Sequence, residues 1–241
     1  MKLPKYVLLF LAIVAAGLVS TGCQPRIDPA FADFDPRYVQ AAPSERTVSF
    51  GVVFVDYGVE EQDLIDTAWA LAEEIKGPQA ALWKSNAMRI AVASARDARE
   101  IKEIVSACQT AKLTRQDVIM PPGQPFELIF GPIVKETGLA YTTRDETTYA
   151  DVRNYQMILR IKTLGAGAYS SVVVSPLFSC GVVPEDVELK GMEAVFPLKE
   201  DALFLIAPEA NPAELRPGAL LIEETGAGRV VNMVLVEMRL L

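Results

Sequence analysis

The chain of 241 residues contains no histidine. That removes Ser-His and Cys-His nucleophile pairs and histidine-based metal sites in one step. Cysteine is scarce too, with three in all, too few once one is set aside for the chain's start to build a thiolate metal site. Also missing are a Gly-rich phosphate loop with Lys-Ser or Lys-Thr and a calcium loop of alternating Asp or Asn with a distal Glu. No Ser-x-x-Lys occurs, and the adjacent Lys84 and Ser85 would point apart on most local structures. No catalytic residue, metal ligand or cofactor is therefore assigned from the sequence.

What is present begins at residue 6. Lys2 and Lys5 precede an uncharged, mostly apolar run from Tyr6 to Gly22. A basic start, an apolar middle and small residues before a cut site make the layout of a secretory signal. The strongly apolar part, Tyr6 to Val19, is shorter than the ~20 residues that cross a bilayer comfortably. The run ends at Ser20, Thr21, Gly22 and Cys23. This segment resembles the lipobox of bacterial lipoproteins, with Ser20 where that family prefers Leu. The resemblance implies cleavage before Cys23, lipidation of that residue (palmitate among its acyl chains), and a mature N-terminus there. Two alternatives stay open: an ordinary cleaved signal, since Ser20 and Gly22 are small, and an uncleaved anchor. By the same resemblance, Gln24 after the Cys favours the outer membrane, with the body facing the periplasm. Several acyl chains, at about 0.8 kcal/mol per buried methylene, would hold stably.

Removing residues 1–22 leaves 21 basic against 31 acidic residues, a net charge of −10. Such a body repels phosphate backbones and anionic headgroups, so nucleic acid is not an expected partner. Membrane contact is expected through the lipid. Residues 24–46 hold four Pro without sustained periodicity and read as a tether, in which Phe31, Phe34 and Tyr38 are unusual.

The expected fold class is α+β, in which a β-α-β-α portion over 47–114 precedes a mainly antiparallel, strand-rich portion over 115–241. The two can belong to one domain. Residues 47–58 read as a strand. A helix follows with Glu60, Glu61 and Asp63 at its start, where the dipole favours acids. Its apolar spacing runs through Leu64, Ala68, Leu71 and Ile75, widened by Ile65, Trp69 and Ala72, and Gly77-Pro78 is expected to end it. After a connection around Trp83, residues 87–93 read as a strand. Ser94 and Asp97 make a capping-box-like pair for a helix burying Ile101, Ile104, Val105 and Cys108. Beyond it, strands are expected at 115–119, 125–133, 139–151, 153–164, 169–178, 186–196, 202–207, 218–223 and 229–240. The last is apolar on both faces and is expected to be central.

Few residues invite a functional reading. Cys108 and Cys180 are an even pair for a disulfide, or two buried thiols acting as small apolar side chains. Trp83, in a connection, is the better surface candidate for stacking on a sugar or partner; Trp69, on the apolar helical face, is expected in the core. Gly-Ala-Gly at 165–167 and 226–228 reads as hairpin turns more readily than as anion cradles, because neither leads into a helix. The acids cluster at helix starts and turns (Glu60, Glu61, Asp63; Asp145, Glu146; Glu185, Asp186), ordinary places for solvated carboxylates. The expected function is a non-catalytic envelope lipoprotein that binds another envelope protein or supports an assembly. The alternatives are a wall hydrolase using paired carboxylates and a small-molecule-binding lipoprotein.

Overall fold

The structure is a computed structural model. It describes residues 47–121, 123–144, 146–164, 171–180, 187–189, 191–197, 201–209 and 216–241, excepting the side chains at 136, 150, 152, 153, 180, 187, 188 and 240. All of them fall within one compact unit. The architecture is α+β, dominated by antiparallel strands.

The strands are β1 (Val48–Gly58), β2 (Glu73–Glu74), β3 (Met88–Ala93), β4 (Lys112–Met120), β5 (Pro125–Thr142), β6 (Thr147–Leu164), β7 (Ser171–Cys180), β8 (Val187–Glu188), β9 (Ala194–Pro197), β10 (Leu203–Pro208), β11 (Ile222–Thr225) and β12 (Gly228–Leu240). The helices are α1 (Gln62–Ala70), α2 (Pro78–Ser85) and α3 (Ala95–Ala107), with 3-10 turns at Val59–Glu61 and Pro217–Leu221. One sheet runs β2-β3-β10-β12-β1-β4, with β11 also on β12; the other runs β5-β6-β7, with β8 and β9 both paired to β7.

Alternation along each strand explains the layers. Val48, Phe50 and Val52 of β1 join Phe204, Ile206, Val234 and Val236 in a core shared with Phe126, Leu128, Leu159, Ile161, Val174 and Phe178 of the second sheet. The opposite face of the first sheet is apolar as well: Val53, Val55, Tyr57, Leu205, Met233 and Leu235 are buried. There α1 contributes Ile65, Ala68 and Trp69, while α3 contributes Ala98, Ile101 and Val105. Lys102 of α3 meets Glu237 of β12 at 2.7 Å, which fixes the helix on that face. The two portions read from the sequence are not separable, since β10 and β12 lie between β3 and β1.

Several expectations are corrected. The first helix ends at Ala70, because Glu73 and Glu74 pair with β3 and Ile75 N–H donates to Ile90 O at 3.3 Å. Sheet pairing overrides the helical spacing, and Leu64 is left exposed. Gly77-Pro78 does not stop that helix but starts another: Gly77, at φ +87°, precedes Pro78 at the first position of α2. The first portion thus holds one helix and one short strand more than β-α-β-α. The expected strand over 139–151 is a hairpin between β5 and β6, closed where Thr143 N–H donates to Glu146 O at 2.8 Å. Residues 217–221 form a 3-10 turn before β11. The Ser94 cap is found, with its Oγ accepting from Asp97 N–H at 3.3 Å.

Candidate functional site

Three clefts meet at Glu74 on the β2 side of the first sheet. One of about 420 Å³ is lined by Asp66, Trp69, Ala70, Ala72, Glu74 and Arg89. A second, about 370 Å³, runs between Glu74, Lys84, Arg89 and Glu209 over Trp83 and Ile90. The third, about 250 Å³, lies between β2 and β9 and is lined by Glu73 to Lys76, Gln79, Val92 and 194–196. All three are open to solvent.

The ridge between them is a tight cluster from three elements. The Arg89 guanidinium of β3 lies 4.2 Å from the centroid of the Trp69 ring on α1. Arg89 Nε and Nη2 donate to Glu74 Oε1 at 3.1 and 2.7 Å, and Nη1 lies 3.4 Å from Asp66 Oδ1. Trp69 Nε1 donates to the same Glu74 oxygen at 2.6 Å. Burial alone would raise the Glu74 pKa, but the bonds from Arg89 and Trp69 outweigh it and hold the carboxyl below its usual value. An acid kept ionised and already accepting three bonds is a poor proton donor near neutrality.

Glu61 and Glu237 are engaged in the same way, and Asp56 is not. Glu61 is buried, and its Oε1 accepts from the backbone N–H of Gln109 and, at 3.1 Å, of Thr110; its Oε2 accepts from Thr110 Oγ1 at 2.7 Å. Burial pushes its pKa up, and these bonds bring it below the usual value. Glu237 follows the same pattern, burial opposed by Lys102 and Arg239. Asp56 is raised, by burial first, with Lys112 opposing and Glu223 adding. Among the described residues, no group of three or more His, Cys, Asp or Glu is placed to hold a metal.

The residues singled out in the sequence fare unequally. Trp83 is corrected from a surface candidate to core: it is 1% exposed, and its Nε1 donates to Met192 O at 2.6 Å. Its connection is the helix α2, which turns the ring inward. Trp69 is buried, as expected. Cys108 is a free, buried thiol, as in the second of its two readings; the side chain of Cys180 lies outside the described residues. Burial, with a smaller contribution from Glu61, pushes the Cys108 thiol up. Gly-Ala-Gly at 226–228 is the hairpin turn from β11 to β12, with Gly228 at φ +132°. The motif at 165–167, Asp145, Glu185, Asp186 and the whole of 1–46, with Cys23, lie outside the described residues.

Compared with known proteins, the chain matches no family model, no curated protein and no solved structure. Its own geometry is the ground for a functional reading. Sequence reasoning missed Arg89, Glu74 and Asn86. Arg89 gave one signal, a cation inside the apolar stretch 87–93. Asn86 gave none, yet it is wholly buried and bonds Thr142 like a strand partner: Nδ2 donates to Thr142 O at 2.7 Å, and Oδ1 accepts from Thr142 N–H at 2.8 Å.

Proposed function

We propose that the chain is an exported, lipid-anchored envelope protein, acylated at Cys23, that works as a non-catalytic binding or assembly-support module. The body is held at the outer membrane, facing the periplasm, and engages another envelope protein through the clefts around Glu74. The observation that carries this reading is the form of those clefts. They are shallow and solvent-open, and they meet at a charged ridge on a sheet edge. A partner's surface fits such a place better than a small molecule, which is ordinarily enclosed over most of its area. Exposed Val195, at 55%, supplies an apolar contact beside the acids of β2. A hydrolase with paired carboxylates needs two acids facing across a cleft; Glu61, Glu74 and Glu237 are each committed to other groups.

The test has two arms in the same cells. Labelling with a palmitate precursor is expected to mark the wild-type chain and not Cys23→Ser. A photo-crosslinking residue at position 195 is expected to capture one envelope protein in stoichiometric yield, and Arg89→Ala to reduce that yield severalfold. An unlabelled wild-type chain removes the anchor from the proposal. Repeated empty capture, with the chain folded and in place, removes the partner.

A further inference from the structure

The far edge of the first sheet carries a second, independent feature. Among the described residues, β4 pairs with β1 on one side and ends the sheet on the other. Strand edges are ordinarily blunted by shortness, charged side chains, proline, bulges or covering elements. Among the described residues the other edges show these devices: β2 has two residues, β9 has four and ends at Pro197, and β5 is broken by a register shift between Phe130 and Val134. The 3-10 turn further covers β5 where Leu221 sits against Gly131. β4 differs: along nine residues (KLTRQDVIM), without proline or glycine, its one such device is charge, at Lys112, Arg115 and Asp117. Its Leu113, Val118, Ile119 and Met120 remain only half-buried.

Its order of side chains is self-complementary about Gln116. We infer that β4 pairs antiparallel with β4 of a second copy of this chain, across a two-fold axis at Gln116, joining two first sheets into one. In that register Arg115 stands opposite Asp117 of the other copy, Leu113 opposite Ile119, Thr114 opposite Val118 and Gln116 opposite itself. Opposite charges and apolar residues directly across an antiparallel pair are the stabilising combinations. A two-fold contact places each of them twice. Within one copy Arg115 and Asp117 already hold each other at 3.0 Å, and the guanidinium lies over Gly51, where a Cβ would be 3.2 Å from Nη2. The charges are thus arrayed on the strand before pairing. A body of net charge −10 disfavours unspecific association, so the charge pairs set the register.

Edge pairing buries little side-chain surface beside the about 1,600 Å² of a standard interface, so a concentration-dependent dimer is expected. The test uses the full mature chain with Cys23→Ser, by sedimentation and by oxidative crosslinking. Arg115→Asp and Asp117→Arg, each folded by circular dichroism, are expected to weaken self-association about tenfold or more, because like charges then face across the axis. An equimolar mixture of the two variants is expected to restore it, since each acid of one copy then faces a cation of the other. No role within a single copy gives that result. Gln116→Cys is expected to crosslink to itself, and Lys112→Cys is not, because its two copies lie roughly 27 Å apart. A chain that stays monomeric with Gln116→Cys uncrosslinked overturns the inference. So does a dimer indifferent to both charge variants, or a mixture that fails to associate. Capture of a different protein at position 116 in place of self-crosslinking also overturns it. The envelope-partner reading is judged separately, at position 195.

Discussion

The acids divide by what they touch. Glu61, counted from sequence among the solvated acids of a helix start, instead turns inward and caps the chain after α3. Its oxygens take the N–H groups of Gln109 and Thr110 and the hydroxyl of Thr110, whose Oγ1 in turn accepts from Gly58 N–H at 3.2 Å. The pH consequence follows from the direction of its shift. The folded pKa is below the ordinary 4.5, so the folded chain keeps this group ionised where the unfolded chain has taken a proton. Its contribution to stability is complete above 4.5 and is lost as pH falls through the folded value. Glu74 and Glu237 are shifted the same way and add the same sign, while Asp56, raised by burial, has the opposite sign and gains stability as pH falls through its folded value. The denaturation midpoint is therefore expected to fall below about pH 4.5, where the three lowered acids outnumber Asp56. Glu61→Gln is expected to lower the midpoint at neutral pH, because a neutral amide loses the charge that strengthens these bonds and its Nε2 cannot accept from the Thr110 hydroxyl, and to make the acid decline shallower. Urea titrations at stepped pH measure both. An unchanged acid limb in the variant would show that Glu61 is not what couples this joint to pH.

At the scale of elements, a buried joint ties both sheets together around α2. Asn86 bonds β5 at Thr142, Trp83 bonds Met192 before β9, and Asn86 O accepts from Gly218 N–H at 2.9 Å. Ala87 O, at the same point, accepts from Glu209 N–H at 2.7 Å after β10. Gly218 comes so close that a Cβ there would lie 1.7 Å from Ala87 O. No side-chain rotation relieves a clash with backbone, so Gly218→Ala must move the Pro217–Leu221 turn away. The expected cost is about 3 kcal/mol, at the upper end for overpacking, read from the shift of the urea midpoint. A loss under about 0.5 kcal/mol, the scale of a surface substitution, would show the joint to be loose. This joint also marks where sequence reading stops. β1 and α3 are legible because their signals are local: a β-branched run, and an N-cap with apolar residues at helical spacing. The end of α1 is not, because Leu71 and Ile75 continue the helical spacing while a contact fifteen residues on, Arg89 to Glu74, draws the chain into a strand. The turn at 143–146 carries neither Gly nor Pro. The site at Glu74 is assembled from α1, β2 and β3 with no spacing that marks it, whereas Trp83 misled because α2 is only weakly amphipathic.

Across the whole molecule, the chain closes on itself late. β12 pairs with all eleven residues of β1 and, on its other side, with β10 and β11. It supplies both faces of the first sheet: Val234, Val236 and Met238 to the core between the sheets, and Val231, Met233 and Leu235 beneath the helices. Six buried apolar side chains at roughly 1.5–3 kcal/mol each are as much as the entire net stability of an ordinary domain. β1, the first strand, and β12, the last, must therefore meet before either layer is complete. Such long-range pairing is slow to form and aggregation-prone until formed. Deleting residues 230–241 leaves β1 and β10 as two apolar strands with their central partner gone. The truncated chain is expected to be insoluble, or to lack a cooperative melt. A soluble truncation with a sharp thermal transition would mean that β1, β4 and the helices hold the first sheet without its central strand, and that the core shared by the two sheets is not what keeps the body folded.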